Sequence, residues 1–317
     1  MVQKRVLLLR YSQTGQTRAV SERIVAPLRQ AGILVDCIDI APRQPYPFPW
    51  PFLKFLEIFP EAVQGIGPIL DPIESPGAAD HALVILAYPV WYLAPALPIA
   101  SFLNSPQAHA LLFGKPVITV VTARNMWVTA QQSVAQKLSG LGAHLLDHIA
   151  LVDPAPPLVT FITTLRWVLS GKRQQQPLGL PDAGLAAAQI ARCRRFGLAL
   201  VQALAADQER CGAALLRGLE ACHVDPALAV SERVGFRSFY LWSLLLRRIG
   251  PQGSSARRLG VLVYLCILIA LICTLVPITL VLRKLAFALS PARARARQAA
   301  LELPSGNGSE RMPEFAP

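Results

Sequence analysis

The 317-residue sequence has few of the residues that characterise a disulfide scaffold or a metal enzyme. Its six cysteines include no Cys-x-x-Cys pair, and only five histidines are present. Such cysteine usage is typical of a reducing compartment and argues against a secreted disulfide framework. His144 and His148 share one face of a predicted strand, where their spacing puts them two pleats apart, and no acidic ligand follows them. We therefore expect no bound metal.

Charged residues are scarce as well, at 16% of the chain against 53% hydrophobic residues. This balance excludes a disordered chain and is more apolar than that of an ordinary soluble enzyme. Residues 1–183 carry 14 basic and 11 acidic side chains, whereas residues 184–317 carry 17 and 8. The positive charge is thus concentrated around an apolar segment, so an anionic membrane surface is a better expected partner than nucleic acid.

The apolar segment is Leu259–Leu282, which has 24 residues and no charged side chain. As a helix it would be about 36 Å long, enough to cross a bilayer core of about 30 Å. We predict a membrane helix that is kinked near Pro277. Basic residues flank both ends, so the positive-inside rule gives no orientation. A segment that enters and returns, or one that lies deep in one leaflet, is the alternative.

The residues around this segment are also basic. Residues 211–258 are predicted to be a linker, in which Val234–Ile249 combines arginines with interfacial aromatic residues. That combination favours an amphipathic helix lying in the membrane plane. Residues 283–317 are predicted to be a basic and then disordered tail.

Residues 1–210 alternate short apolar strands with amphipathic helices, a pattern typical of an α/β doubly wound parallel sheet. Such a sheet binds its ligand at the carboxyl ends of the strands. Two stretches, at about 42–60 and 154–181, are predicted insertions, and the first contains six aromatic residues among its prolines. The predicted strands are 4–10, 35–40, 83–87, 117–122 and 144–152, and the predicted helices are 17–30, 98–112, 128–141 and 185–205.

The turn after the first strand has the chemistry of a phosphate-binding loop. Its glycine and hydroxyls stand where a strand leads into a helix, so backbone N–H groups and the helix N-terminus can bind an anion. The pattern is neither a Walker loop nor a three-glycine dinucleotide turn, and an ordinary capped turn is the alternative. The candidate phosphate-binding residues are Ser12, Gln13, Thr14, Gly15, Gln16 and Thr17.

This Ser-x-Thr-Gly-x-Thr run resembles the flavodoxin-like family, in which the loop holds the phosphate of FMN. The segment 87–92 (AYPVWY) resembles the loop that packs against the flavin ring, and 122–127 (TARNMW) falls where the third flavin loop lies. The resemblance covers about residues 4–205. It implies a flavodoxin-like five-stranded parallel sheet of order 2-1-3-4-5, and FMN as the cofactor. It also implies flavin contacts from Pro89, Val90, Trp91, Tyr92, Ala123, Arg124 and Asn125.

Four residues are candidates for roles beyond holding the flavin. Arg124 and Asn125 are the candidate catalytic residues, because an arginine near a flavin can stabilise the reduced anionic ring or pair with a substrate oxygen. A solvent-facing loop arginine is the alternative. Trp50 and Phe52 are predicted to form a substrate lid or a membrane-facing entrance, with plain core filling as the alternative.

A narrower resemblance is carried by YPFPWPF, AYPVWYLAPALPIASFL, GKPVITVVTARNMW and the apolar C-terminal anchor. Together these segments resemble membrane-anchored bacterial proteins labelled dialkylresorcinol condensing enzyme. A condensation would need a thiolate with a histidine partner, and no histidine is placed by sequence beside Cys37. Because a flavin fold is better suited to moving a hydride, an aromatising oxidation within such a pathway is the chemically sensible role.

The sequence therefore predicts a membrane-anchored flavoprotein that carries out FMN-dependent redox chemistry on a lipophilic cyclic carbonyl or quinone-like substrate. A membrane-tethered FMN electron carrier and a non-catalytic flavodoxin-like scaffold are the alternatives. Membrane lipid, and a redox partner or NAD(P)H, are expected partners. The expected location is the bacterial inner membrane, with the flavin domain facing the cytoplasm.

Overall fold

The computed structural model describes residues 3–73 and 80–315, and its centre is a parallel β-sheet. The spatial order of the strands is β2-β1-β3-β4-β5, which confirms the flavodoxin-like order 2-1-3-4-5. A two-residue strand, Ala94–Pro95, pairs antiparallel with the end of β3. The parallel strands are β1 (Arg5–Arg10), β2 (Leu34–Asp39), β3 (Leu83–Trp91), β4 (Pro116–Ala123) and β5 (His144–Val152).

The central strands are buried on both faces, which explains their continuous apolar sequences. Five of the six residues of β1 and six of the eight residues of β4 are buried. The parallel register aligns Arg10 with Ala87 and Pro89 with Thr122. The loops that follow β1, β3 and β4 therefore begin at the same edge of the sheet, where the sequence places its candidate ligand loops.

The helices differ from the predicted ones mainly in being shorter and more numerous. The predicted helix 98–112 is two helices because Ser105 caps a new one that begins at Pro106. The predicted helix 185–205 is divided at Cys193. The helices are α1 (Gln16–Gln30), α2 (Phe52–Glu57), α3 (Phe59–Gln64), α4 (Leu97–Leu103), α5 (Pro106–Leu112), α6 (Val128–Gly140), α7 (Pro157–Ser170), α8 (Ala187–Arg192), α9 (Arg194–Ala205), α10 (Pro226–Ile249), α11 (Ser255–Cys273), α12 (Leu275–Ala288) and α13 (Pro291–Glu302), with 3₁₀ turns at Pro177–Gly179, Gln208–Arg210 and Met312–Phe315.

Helices cover both faces of the sheet and produce two hydrophobic cores. Helices α1 and α9 pack together on one face, and α4, α5 and α6 pack on the other. Gly197 allows the close approach of α9 to α1, because a Cβ there would lie 2.0 Å from the Ile24 carbonyl oxygen. The closing helix is thus fixed directly over the helix that follows the candidate phosphate loop.

The folded domain extends beyond the predicted boundary at residue 210. Leu216 and Leu219 are fully buried in the core of the α1 face, and Phe315 joins them there. The expectation that 211–225 is part of a linker is therefore corrected. These residues pack because they supply apolar side chains to a sheet edge that would otherwise be open.

The predicted disordered tail is also corrected, since buried polar contacts hold it against β5. The hydroxyl of Ser305 is buried, donates to Asp147 Oδ1 at 2.7 Å and accepts from the His148 backbone N–H at 2.8 Å. The other Asp147 oxygen accepts from the backbone N–H groups of Leu215 and Leu216. The Asp147 carboxyl group thus joins two distant segments of the chain to the sheet.

The C-terminal helices form a layer outside the sheet domain. Helix α10 is longer than the predicted interfacial helix 234–249, and Asp225 caps its first turn. Near its start, Glu232 accepts a hydrogen bond from the Thr129 N–H at the beginning of α6. Helices α11 and α12 together make one apolar segment, Ser255–Ala288, long and apolar enough to cross a membrane by length and composition. It is interrupted at Thr274, one turn before Pro277, because a proline cannot donate to the preceding turn.

Arg257 does not serve as an exposed charge flanking the apolar segment. Its guanidinium is buried, pairs with Glu61 and donates to the Glu57 carbonyl oxygen. The neighbouring Arg258 pairs with the Glu57 carboxylate at 3.0 Å. The start of α11 is thus attached to α2 and α3 of the first insertion, and this insertion and the apolar helix form one unit.

The contacts around Asp147 predict a specific pH dependence of stability. Burial raises the pKa of Asp147 to about 6, although its hydrogen bonds oppose the shift. Folding stability from this group is therefore lost as the pH rises from about 4 to 6. Burial lowers the pKa of His148 to about 4, so stability from this group is lost as the pH falls from about 6.5. The two effects, each on the order of 3 kcal/mol, oppose each other in one window.

We expect Asp147→Asn to remove only the first effect, so that stability falls more steeply on acidification from pH 6.5 to 4 than in the wild type. His148→Gln should change the slope in the opposite direction. Urea unfolding in mild detergent at several pH values would measure both slopes. Two variants with the wild-type slope would contradict the assigned titrations.

Candidate functional site

The loop after β1 leaves the sheet and turns directly into α1. Tyr11 continues the strand, since its N–H donates to the Ala87 carbonyl oxygen at 3.0 Å. Gly15 precedes the first helical residue with φ of +85°, a conformation that favours glycine. A Cβ at this glycine would meet no atom within 4 Å, so the space above the loop is open.

The backbone N–H groups of this loop are available to a ligand. The Arg18 N–H donates to Ser12 Oγ at 3.1 Å. Within 3–73 and 80–315, no acceptor pairs with the N–H groups of residues 13–17. Free N–H groups at a helix N-terminus are the usual binding site for a phosphate.

The loop side chains divide into two groups. Gln13 donates to the Pro47 carbonyl oxygen at 3.0 Å, and Gln16 exchanges two hydrogen bonds with the backbone of Leu185. These two residues therefore fix the loop to neighbouring segments. By contrast, the Thr14 side chain makes no hydrogen bond within the described residues and stays available to a ligand.

Thr17 connects the first and third candidate loops. Its buried hydroxyl lies 2.8 Å from that of Thr122, at the end of β4. The predicted phosphate contact of Thr17 is thus shared with a contact that holds α1 to the sheet. Either hydroxyl can be the donor of this bond, so Thr17 can donate to a phosphate when it accepts from Thr122.

Trp91, at the end of β3, lies in a cluster of four aromatic rings that we call the aromatic box. Its ring makes edge contacts with those of Tyr11, Tyr46 and Trp50, at centroid distances of 5.7, 5.2 and 5.8 Å. Tyr46 and Trp50 stack on each other at 5.4 Å. The first insertion and the predicted flavin loop thus meet beside the phosphate loop.

Tyr92 packs in a different direction from Trp91. Both Tyr92 and Leu93 have positive φ, of 49° and 64°. The Tyr92 hydroxyl donates to the Phe55 carbonyl oxygen, and its ring contacts those of Phe55 and Phe59. Tyr92 therefore connects the end of β3 to the insertion helices, and Trp91 is the aromatic residue that contacts the first loop.

The other residues at the end of β3 are positioned by backbone contacts. The Pro89 carbonyl oxygen accepts from the Ala96 N–H at 3.0 Å, and Val90 pairs with Pro95 across the short antiparallel strand. These contacts fix the direction in which β3 ends. The position of Trp91 is therefore set by the sheet.

In the third loop, Arg124 is engaged with α7. Its Nη1 donates to the Pro157 carbonyl oxygen at 3.0 Å and lies 3.4 Å from Thr160 Oγ1. Burial lowers the pKa of Arg124 to about 10, and the nearby carboxylate of Asp153 opposes the shift. The guanidinium therefore remains charged at neutral pH, and most of its donors are still free within the described residues.

Asn125 and α7 contribute polar atoms that have no partner. Asn125 Oδ1 and Thr163 Oγ1 are buried and make no hydrogen bond within the described chain. Buried polar atoms normally have partners, so these two are suited to meet a ligand. Ala123 accepts from the Asp153 N–H at 3.2 Å, which fixes the backbone of the loop.

Helix α7 is the part of the site that the sequence did not predict. Trp167 packs edge-on against Phe48 at 6.2 Å, and the Trp50 N–H donates to the Val168 carbonyl oxygen. The signal was present, because Thr160, Thr163 and Trp167 recur at the spacing of one helical face and are its buried residues.

The predicted lid residues differ in exposure. Trp50 is only 5% exposed and belongs to the aromatic box, whereas Phe52 is 44% exposed at the start of α2. Trp50 thus packs inside a hydrophobic cluster, and of the two predicted lid residues Phe52 is the one that solvent reaches. Within the described residues, no group of three or more His, Cys, Asp or Glu side chains is arranged to hold a metal ion.

These residues fit FMN as the expected cofactor. The phosphate group needs several donors, which the free N–H groups of residues 13–17 and the Thr14 hydroxyl supply. The flavin ring carries an N–H that needs an acceptor, and the buried Asn125 Oδ1 lacks a donor. Aromatic faces that suit a flat ring system lie between these two regions.

We compared the chain with known proteins and found solved structures that are similar at low sequence identity. No family model and no curated protein matches the sequence. A flavodoxin from Archaea is similar at 12% identity and TM-score 0.37, covering 63% of this chain and 99% of its own. Flavodoxin 1 from Bacillus cereus is similar at 14% identity and TM-score 0.36, covering 63% and 98%. A Lactobacillus acidophilus flavoprotein in complex with FMN has 19% identity and TM-score 0.36, covering 47% and 92%.

The phosphate loop can be tested with variants at Thr14 that differ in charge. Thr14→Glu places a carboxylate where an anion must bind and should abolish flavin binding. Glutamine has nearly the same volume as glutamate but no charge, so the Thr14→Gln variant should retain flavin. The measurement is the amount of FMN released per mole of purified protein. A glutamate variant with wild-type flavin content would show that the loop is wrongly assigned.

Proposed function

We propose that the chain binds FMN at the loop after β1 and carries out redox chemistry on a lipophilic cyclic carbonyl or quinone-like substrate. The observation that carries this proposal is a continuous aromatic contact between the phosphate loop and the apolar C-terminal helix. A soluble electron carrier has no use for such a connection. A substrate that partitions into lipid would reach this aromatic contact at the end that lies on the apolar helix.

The contact runs ring to ring, and we call it the aromatic path. It begins at Trp91 in the aromatic box and ends at Tyr264 in α11. Each successive pair of centroids lies within about 6 Å, the range of favourable aromatic contact. The pairs are Trp91–Trp50 at 5.8 Å, Trp50–Phe55 at 6.1 Å, Phe55–Tyr92 at 5.3 Å, Tyr92–Phe59 at 5.5 Å and Phe59–Tyr264 at 5.2 Å.

The outer end of this path belongs to a surface that suits lipid. Exposed apolar side chains cover α10 and α11, with Leu241 66% and Leu259 65% exposed. Burying one methylene group of an alkyl chain is worth about 0.8 kcal/mol. A substrate with an alkyl chain would therefore concentrate in the adjoining membrane and reach the insertion from there.

Bound FMN supplies hydride or single-electron transfer, and converting an alkylated cyclohexanedione into a resorcinol is a two-electron oxidation of the kind it supports. The residues of this chain would bind the substrate and the cofactor and orient them. Arg124, charged at neutral pH, would stabilise negative charge that develops on a ring oxygen. The aromatic box would exclude water and align a flat substrate. The narrower resemblance to proteins labelled dialkylresorcinol condensing enzyme favours this oxidation as the specific reaction.

The oxidation would leave the flavin reduced, so a redox partner that accepts two electrons must complete the cycle, whereas NAD(P)H would serve only a reaction that runs as a reduction. We propose that this partner meets the flavin on the cytoplasmic side of a bacterial inner membrane. All six cysteines are free thiols, which supports a reducing compartment. A membrane-tethered electron carrier would use the same flavin without a substrate. The buried position of Trp50 between the flavin loops and α2 favours the substrate role.

The proposal predicts a flavin spectrum for the full-length protein purified in mild detergent. The chromophore that heat releases into solution should be FMN, and apoprotein prepared without heating should retain added FMN after desalting. A colourless protein that takes up no FMN would contradict the proposed cofactor and favour the non-catalytic scaffold.

The substrate role predicts a chain-length effect at Trp50. Trp50→Ala should lower turnover of long-chain alkyl cyclohexanediones more than that of short-chain analogues, because on this proposal the alkyl chain packs against the rings of the aromatic path. Trp50→Phe should restore much of the difference. Phe113→Ala, at an exposed site outside the path, is the matched control. Turnover and FMN content are measured together, and an equal loss for both chain lengths would assign Trp50 a structural role.

A further inference from the structure

Both ends of the apolar segment Ser255–Ala288 are attached to the same domain. At its start, Ser254 caps α11, and the buried Arg257 pairs with Glu61 of α3. Arg258 adds an ion pair with Glu57 of α2. The first turn of the segment is therefore held on the insertion beside the candidate site.

The chain returns to the sheet after the segment ends. Glu302, at the end of α13, accepts from the Val224 N–H at 2.8 Å, and Ser305 donates to Asp147. Phe315 completes the core of the α1 face. These buried contacts lie on the domain from which α11 departs.

This arrangement is incompatible with a single crossing of a bilayer. The 34-residue segment is about 51 Å long as a helix, so a crossing would place Ala288 beyond the far headgroups. The tail could then reach β5 only by crossing back through α13. That helix has 12 residues, about 18 Å, and carries three arginines that hydrocarbon excludes.

The segment instead lies along α10. A Cβ at Gly260 would lie 2.9 Å from a methyl group of Leu246, so the two helices approach closely near their shared end. Tyr264 contacts Trp242 at 4.7 Å. Farther on, Arg283 of α12 donates to Ser231 Oγ at 2.7 Å. These contacts follow α10 from its end back to its start.

We infer that α10, α11 and α12 form a monotopic anchor, which lies in the plane of one leaflet and leaves both flanking segments on the same side. The inference rests on the membrane association that we propose above, and deepens it. The occupant of the apolar face is a lipid monolayer, which can bury the exposed side chains along the full length of the helices.

The charges around the anchor support an anionic lipid surface. Residues 226–301 carry 11 basic side chains and a single acidic one, the buried Glu232. Among them, Arg233, Arg237, Arg248 and Lys284 are exposed and have no ion-pair partner within the described residues. Basic side chains beside an in-plane apolar face attract anionic headgroups.

The first test determines on which side of the membrane the tail lies. Full-length protein carrying Ser309→Cys or Gln208→Cys is bound to sealed vesicles of phosphatidylethanolamine and phosphatidylglycerol. The four exposed native cysteines are replaced, and the buried Cys193 and Cys222 are kept. Both introduced positions are exposed, one in the tail and one in the sheet domain. An impermeant maleimide added outside should label both to the same extent.

The depth of the helix is the second test. Spin labels at the exposed positions Leu262, Ile269 and Leu282 should report the same shallow depth for an in-plane helix. A crossing helix would place Ile269 deepest, with the other two in opposite leaflets. A far-UV circular dichroism spectrum and a thermal transition like those of the unlabelled protein show that each labelled variant is folded.

The outcomes separate this inference from the proposed function. Vesicle binding with a tail protected from the maleimide until detergent is added would overturn the in-plane anchor alone. Failure to float with vesicles would overturn the membrane association as well. Coupling between labels of two molecules, in place of lipid contact, would assign the apolar face to a second copy of the chain. The flavin spectrum tests FMN binding independently of all three.

Discussion

The buried ion pair between Arg257 and Glu61 joins the two halves of this molecule. A buried guanidinium that lacks a charged partner strongly destabilises the chain. Here the partners come from α2 and α3, so the insertion cannot adopt its position without α11, nor α11 without the insertion. The aromatic contact between the helix and the candidate site follows from this constraint. The site and the apolar surface are thus parts of one structure.

Much of the sheet could be predicted because its strands have simple patterns of apolar residues. β1 and β4 are continuous apolar runs, as parallel strands covered on both faces must be. The turn at Gly15 was predictable because a glycine and several hydroxyls stand where a strand leads into a helix, whereas its positive φ is seen only in the structure. The order of the strands followed from the resemblance carried by three loops, since local pattern alone does not fix it.

The remaining features depend on contacts between distant residues. Ser305 and Arg257 are residue types that usually lie at the surface, and each is buried here because a partner far away in sequence satisfies it. Pattern reasoning therefore assigned their segments to a disordered tail and a flanking charge. The opposite directions of Trp91 and Tyr92 depend on two positive φ values that side-chain chemistry does not specify. Helix α7 was missed because its apolar sequence is as typical of an inserted segment as of a helix that covers a binding site.

The attachment of residues 302–315 to β5 also has a consequence for biosynthesis. Residues 215 and 216 can cover only part of the sheet edge around Asp147 before this segment has been made, although every parallel strand has been translated long before. The apolar helices leave the ribosome during that interval, when the domain is still unable to close. A nascent chain with exposed apolar surface is prone to aggregate. If the helices bind a lipid surface as we propose, early contact would shield them, and the membrane would then assist folding.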